Sequence, residues 1–259
     1  MLELERTAAA HWRGTEEEWL GEWLLRAADG FTGRANSALP LGDPGLPLEA
    51  ALDYVTGWYR ARGLPAVLAV PLPLGLGGDA PAPGLDAELA GRGWATRPGP
   101  AFVMVADLPL TVATPGPPPG AVVAADAEPD QDWIAAYHYR GTDQQPPVLR
   151  DVLTSAREQA FISIRAESGV LAIARLSLDG GWAGLTAVEV DPARRRAGLG
   201  LAITAAACAE AVRRGVGQVF LQVAVDNGGA RGLYERCGFR YSHWYHYRVA
   251  PAAAAFSLS

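Results

Sequence analysis

At 259 residues the chain is longer than the usual single domain of about 100–200 residues, so two domains and a sizeable core are expected. Its composition, 49% hydrophobic and 19% charged with a mean hydropathy of +0.06, is that of a globular protein and excludes a disordered one. A net charge of −6 and a pI near 5.3 argue against a general binder of nucleic acid or anionic membranes, while still allowing local basic patches that hold small anions.

The opening stretch MLELERTAAAHWRG has no cationic start followed by an apolar run, and no window reaches about 18 uninterrupted apolar residues. A cytoplasmic protein without a membrane span is therefore expected. In the first half, LDYVTGWYRARGLPAVLAVPLP (52–73) reads as a helix followed by a strand and LDAELAGRGWATRPGPAFVMVADL (85–108) as a second such pair, with GFTGRANSALPL (30–41) in the slot of the strand ahead of them. Between the pairs, PLPLGLGGDAPAPG (71–84) reads as a long loop. The run TPGPPPGA (114–121) carries four prolines and two glycines, the composition of a semi-rigid linker. These breaks divide the chain into a first domain at 1–112, a linker at 113–120, a second domain at 121–250 and a loose tail at 251–259.

In the second half a strand begins at Ala121–Ala124, a helix is expected over Pro129–Tyr139, and Phe161–Arg165, Val170–Leu178 and 182–192 read as strands. From Leu199 to Arg214 the residues Leu201, Ala205, Cys208 and Val212 recur at helical spacing and predict the buried face of a helix that Gly215 stops. QVFLQVAV (218–225) sets Val219, Leu221, Val223 and Val225 on one face of a strand. A helix over Asn227–Cys237, closed by Gly238, and a last strand over Phe239–Val249 complete the order. This alternation predicts an α/β fold with a mixed sheet. Segment 52–73 also parallels 208–227, and 85–108 parallels 231–250, which predicts an internal duplication. Cys208 and Cys237 both fall on apolar helix faces and are expected to be reduced core thiols.

The turn EVDPARRRAGLGLA (189–202) joins a strand to a helix. A helix N-terminus offers unpaired N–H groups and a positive dipole end, glycines let a ligand approach the backbone, and arginines add charge, so the turn is a candidate anion cradle. It lacks G-x-x-x-x-G-K-[ST] and the third glycine of the dinucleotide fingerprint. Arg195-x-x-Gly198-x-Gly200 instead resembles the R/Q-x-x-G-x-G/A signature of the Gcn5-related N-acetyltransferases. VEVDP (188–192) and the block DNGGARGLYERCGF (226–239), at Asn227, Ala230, Leu233, Tyr234, Gly238 and Phe239, extend the likeness over about residues 121–250.

The resemblance implies an acyl-CoA N-acyltransferase fold, acetyl-CoA as cofactor, and a first half that is a degenerate copy shaping the acceptor cleft. It implies that Val188, Glu189 and Val190 pair with the pantetheine amides, that the N–H groups of Arg196, Ala197, Gly198, Leu199 and Gly200 hold the pyrophosphate with Arg195 in support, and that Asn227 positions the pantetheine arm. Tyr234 would protonate the leaving thiolate. Many members carry a glutamate six residues before the valine of the V-x-P ending, but here that position is Gly184. By strand alternation Glu189 faces away from Val188 and Val190 and becomes the candidate base, with a water chain as the alternative. His138 and Arg140, and in the first half Arg34 and Asn36, are further acceptor-site candidates, with ordinary surface or structural roles left open for each. His243 and His246, three apart on a strand, face opposite ways, so no shared metal is expected.

The expected activity is acetyl-CoA-dependent transfer of an acetyl group to a primary amine of a small molecule, an amino acid among the acceptors. A non-catalytic acyl-CoA sensor or scaffold and a protein N-acetyltransferase stand as alternatives. Nucleic-acid and membrane partners are not expected, and a homodimer is left open.

Overall fold

The computed structural model describes residues 1–75, 80–111, 116–138 and 145–251. The first half begins with helix α1 (Leu2–His11), strands β1 (Glu16–Leu20) and β2 (Trp23–Ala27), a 3-10 turn at Arg34–Asn36 and the short strand β3 (Leu39–Pro40). Helix α2 (Leu48–Arg60), β4 (Val67–Leu72), α3 (Leu85–Gly91) and β5 (Ala95–Asp107) follow. The second half contributes β6 (Val122–Asp126), α4 (Gln131–Ala135), α5 (Leu149–Leu153), β7 (Glu158–Ala166), β8 (Gly169–Asp179) and β9 (Trp182–Val190). It closes with α6 (Leu199–Arg213), β10 (Gln218–Ala224), α7 (Gly228–Arg236) and β11 (Arg240–Val249).

Local chemistry sets the boundaries. Gly180 and Gly181 both adopt positive φ between the paired residues Asp179 and Trp182, the two-residue turn whose twist suits a β8–β9 hairpin. Gly215 and Gly238, at φ 79° and 88°, follow α6 and α7 in the left-handed conformation that ends helices.

The strands form a three-stranded sheet, β1-β2-β3, and a mixed eight-stranded sheet in the order β4-β11-β5-β10-β9-β8-β7-β6. Among the eight named strands of the larger sheet, β9 and β10 are the one parallel pair; β5 of the first half lies between β10 and β11 of the second, antiparallel to both. The proline-rich boundary at 113–120 thus separates the halves in sequence but not in the sheet. On one face α6 and α7 cover a core that includes Ile162, Leu176, Leu185, Ile203, Leu221 and Phe239. Burying each such side chain contributes about 1.5–3 kcal/mol. On the other face α1 lies across the sheet, with Leu4, Ala8 and Ala9 packed among Val103, Phe220 and Tyr245.

Three sequence expectations are corrected. The segment 30–41 is not one strand: it is a loop with a 3-10 turn that ends in Leu39–Pro40, paired with β2, and in a parallel bridge from Ala38 to Leu68 of β4. The helix expected over Pro129–Tyr139 is limited, among the described residues, to α4 at Gln131–Ala135. The buried face of α6 is formed by Ala202, Ile203, Ala207, Cys208 and Ala211, while Val212 is exposed. The predicted stripe failed because an alanine-rich helix is apolar nearly all round, so spacing alone does not choose its buried side. Cys208 and Cys237 are free and buried in the core beneath this helix; burial pushes the two thiols up to about 12 and about 11.

Candidate functional site

Strands β9 and β10 pair from Trp182 and Gln218 only as far as Leu185 and Leu221. Beyond that step Thr186–Val190 is paired with β8 alone and Gln222–Ala224 with β5 alone, so the two parallel strands part and leave a slot between them. A bulge accompanies the parting. Ile173 pairs with Glu189 and Arg175 with Thr186, which leaves Ala187 and Val188 together opposite Ala174. Ala187 sits at φ 51°, and the extra residue bends β9 away from its neighbour.

The chain then turns into α6 through the sequence's candidate cradle. Asp191 Oδ1 accepts from the Ala193 N–H at 2.9 Å and fixes the exit from β9. Arg196 adopts φ 66°, and Gly198, the N-cap of α6, adopts φ 79°. The first N–H of this turn to bond back is that of Ala202, onto the Gly198 carbonyl at 3.0 Å, so those of Leu199, Gly200 and Leu201 point out of the helix end. The two glycines serve different ends. Gly198 supplies the left-handed conformation, whereas a β-carbon on Gly200 would stand 2.5 Å from Leu233 Cδ1 and make that side chain turn aside. Arg194, Arg195, Arg196 and Ala197 are exposed beside this opening.

Val188 and Val190 pack toward the core beneath α6. Glu189 turns the other way and lines a cavity of about 160 Å³ with Ala136, His138, Ile173 and Pro192. Burial raises its carboxyl above the ordinary glutamate range, an effect that His138 and Arg195 partly offset. His138 Nδ1 lies 3.0 Å from the Ala136 carbonyl. Arg140 lies outside the described residues.

Tyr234 reaches in from α7 among Leu199, Ile203 and Phe239 and is 8% exposed. Burial first, and then Cys237 and Glu189, raise its hydroxyl above the ordinary tyrosine value, so it holds its proton. Among the described residues its hydroxyl has no hydrogen-bond partner. Asn227 is the N-cap of α7: its Oδ1 accepts from the Ala230 N–H at 3.0 Å, so its Nδ2 is the end turned outward.

Of the two first-half candidates, Asn36 is a loop staple. Its Oδ1 accepts from the Ala28 and Gly30 N–H groups, and its Nδ2 donates to the Phe31 and Thr32 carbonyls. With both ends of the amide engaged, Asn36 holds the loop and has no free group for an acceptor. Arg34 donates to Gln222 Oε1, on β10 one residue past the last β9 pair, and so stands at the mouth of the slot. The base position of the family, Gly184, is closed: a β-carbon there would meet Ser177 Oγ at 2.7 Å and His11 Nδ1 and Phe220 Cζ at 2.9 Å. Sequence reasoning missed His11, Trp12 and Arg175, which share this face with Glu189. The one signal for Arg175 was a charge in the middle of the otherwise apolar run LAIARLSL. His243 Nε2 lies 2.6 Å from Glu5 and His246 Nε2 2.7 Å from Asp86, two separate carboxylates.

A parted parallel strand pair, a bulged strand and a glycine-turned helix N-terminus on one mixed sheet define a Gcn5-related N-acetyltransferase. The model for the family described as "Probable histone acetyltransferase Rv0428c C-terminal" matches residues 1–248, and the chain belongs to that family. It is 32% identical over 255 residues to the Mycobacterium tuberculosis protein named probable histone acetyltransferase Rv0428c, covering 96% of this chain and 73% of that one. It is 26% identical over 264 residues to the uncharacterised N-acetyltransferase YobR of Bacillus subtilis, covering 95% and 97%. Among solved structures, a Gcn5-related N-acetyltransferase from Kribbella flavida shares the fold with a TM-score of 0.67 at 19% identity, over 92% of this chain and 90% of that one. The chain is thus an N-acetyltransferase. No helix among its described residues is long and apolar enough to cross a membrane.

Proposed function

We propose that the chain acetylates a primary amine of a small molecule by direct attack, using acetyl-CoA. The observation that carries this reading is the parting of β9 and β10 after Leu185 and Leu221, opening directly beside the N-terminus of α6. The residues fit the cofactor: Val188–Val190 would pair with its amide arm, the Nδ2 of Asn227 lies on the helix beside that arm's path, and the N–H groups from Arg196 to Gly200 would hold its pyrophosphate with Arg195 alongside. Bound there, acetyl-CoA supplies an acetyl group activated as a thioester.

The remaining chemistry is the chain's own. A primary ammonium must lose a proton before it attacks, and the Glu189 carboxylate, desolvated at the wall of a small cavity, takes it. The Tyr234 hydroxyl, kept protonated by burial, gives a proton to the departing sulfur. His138 lines the same cavity as Glu189 and opposes the rise in proton affinity that burial causes. The fold of the first half supports a degenerate second copy of the domain that closes the acceptor side. The cavity beside Glu189 is small, which favours a small acceptor or the slender end of a larger one.

A protein amine is the second reading, favoured by the printed name of the M. tuberculosis relative. A screen of small primary amines and of a histone tail peptide, with free thiol release and mass spectrometry as readouts, separates them. Thiol release with a small amine that gains 42 mass units is the expected result, by the mass of an acetyl group replacing hydrogen. Modification of the peptide alone would move the acceptor to protein. Cofactor binding without turnover on either would leave a sensor.

A further inference from the structure

On the sheet face that carries Glu189, the first half brings together charged groups that the acetyl-transfer steps do not use. Arg175, on β8, is fully buried. Its Nε donates to the Leu153 carbonyl and its Nη1 to the His11 carbonyl at 3.1 Å, while its Nη2 has no partner. Arg34 stands close enough to depress the proton affinity of Arg175 further. The two guanidinium carbons lie 4.8 Å (Arg34) and 5.1 Å (Arg175) from the centroid of one ring, that of Trp12. Glu5, which lines one small cavity with Trp12, Arg26 and Arg34, is held by His243, and the buried Arg26 side chain donates to Ser37. Buried charge is ordinarily paired, and leaving it unpaired costs several kcal/mol, so a cationic pair with an orphaned donor is a feature that a ligand explains.

We infer that Arg34 and Arg175, set around Trp12, form a carboxylate subsite, so that the acceptor is a primary amine bearing a carboxylate, as in an α-amino acid. This rests on the acetyl-transfer reading and names its substrate class. Guanidinium groups match a planar carboxylate through forked donors. Arg34 is the partly buried member, the one with a side that a ligand can meet, and its side-chain partner Gln222 lies at the open end of the slot. The spacing also suits an amino acid. Arg175 and Ile173 lie two residues apart on one face of β8, and Ile173 is paired with Glu189, so the base stands roughly 7 Å along the strand from the arginine. An α-amino acid holds its nitrogen and carboxylate oxygens about 3 Å apart. With a hydrogen bond of about 2.8 Å at each end, its reach is of the same order as that backbone step.

The test uses three matched pairs, L-alanine with ethylamine, L-phenylalanine with phenethylamine and L-histidine with histamine, in acetyl-CoA turnover by the full chain. At least one amino acid is expected to exceed its decarboxylated partner about 100-fold in kcat/KM, and Arg34→Gln to cut that ratio at least tenfold, mainly through KM. Because Arg175 also holds backbone carbonyls, Arg34→Gln is the decisive variant, with its melting temperature as the control for folding. Ratios near one in all three pairs, or a ratio that survives Arg34→Gln, would overturn the subsite while acetyl transfer stands. Calorimetric titration with acetyl-CoA runs beside the assay, and if it shows no binding and no amine is turned over, the acetyl-transfer reading fails with it.

Discussion

His11 Nδ1 stands 2.9 Å from the point where a β-carbon on Gly184 would fall. The first half of the chain thereby occupies the place on β9 where many relatives by fold are expected to carry their glutamate, with the imidazole held by Ser177 Oγ at 2.9 Å and kept neutral by burial. Gly184→Ala would press on three groups at once and is expected to lower stability by about 1–3 kcal/mol, read as a drop in the urea midpoint. A stable Gly184→Glu variant with raised activity would show that the position is open after all.

With Gly184 closed, the proposed mechanism gives the base role to Glu189. Glu189→Gln should lower kcat about 10²–10⁴-fold with little change in acetyl-CoA affinity. In the wild type the carboxylate is the active form. Because burial raises its pKa, the acidic limb of the kcat/KM profile should lie above the ordinary glutamate value of about 4.3 and vanish in the variant. A profile unchanged by the substitution would pass the role to a water chain.

The strands of the second half in chain order, the glycine turn and the α7 block were all legible, because each depends on local signals: alternation, helix-stop glycines and the positive φ that Gly198 supplies. Glu189's outward turn was legible for the same reason. What stayed hidden depends on contacts between distant segments. Nothing in ATRPGPAFVMVAD says that β5 will slide between β10 and β11, since its alternation suits any sheet. Likewise Arg175 lies 164 residues after His11 and 163 after Trp12, and α1 lying across the sheet brings them together. Most of 30–41 is a loop because the Asn36 amide, a contact within the segment's own turn, takes the backbone groups of Ala28, Gly30, Phe31 and Thr32, and only Ala38–Pro40 reach neighbouring strands.

Tyr234→Phe removes only a hydroxyl from a residue whose ring remains packed against Phe239 at 5.7 Å between centroids. Its expected signature is a fall in kcat of about 10²-fold or more with the melting temperature nearly unchanged, measured with the best amine from the screen. Equal turnover in the variant would make Tyr234 a packing residue alone.

The two halves are also tied by Asp86 of α3 to Arg248 of β11, through Nε–Oδ1 at 2.8 Å and Nη2–Oδ2 at 3.0 Å. Arg248 first, and then His246, hold the Asp86 carboxyl below its usual range against the opposing effect of burial. Its stabilisation is therefore present above the unfolded value of about 3.9 and is lost as pH falls through the lower folded one. Asp86→Asn should cost about 1–2 kcal/mol at pH 7 and progressively less below pH 4, read from denaturation midpoints across that range. A cost independent of pH would place the effect in packing.

The cradle itself is tested most directly by calorimetric titration of acetyl-CoA into the wild type and into Gly198→Glu, which sets an acidic side chain on the left-handed N-cap of α6. Single-site binding in the wild type, weakened at least 100-fold in a variant that still melts cooperatively, is the predicted result. No binding in the wild type, or equal binding in both, would contradict the assignment of this loop.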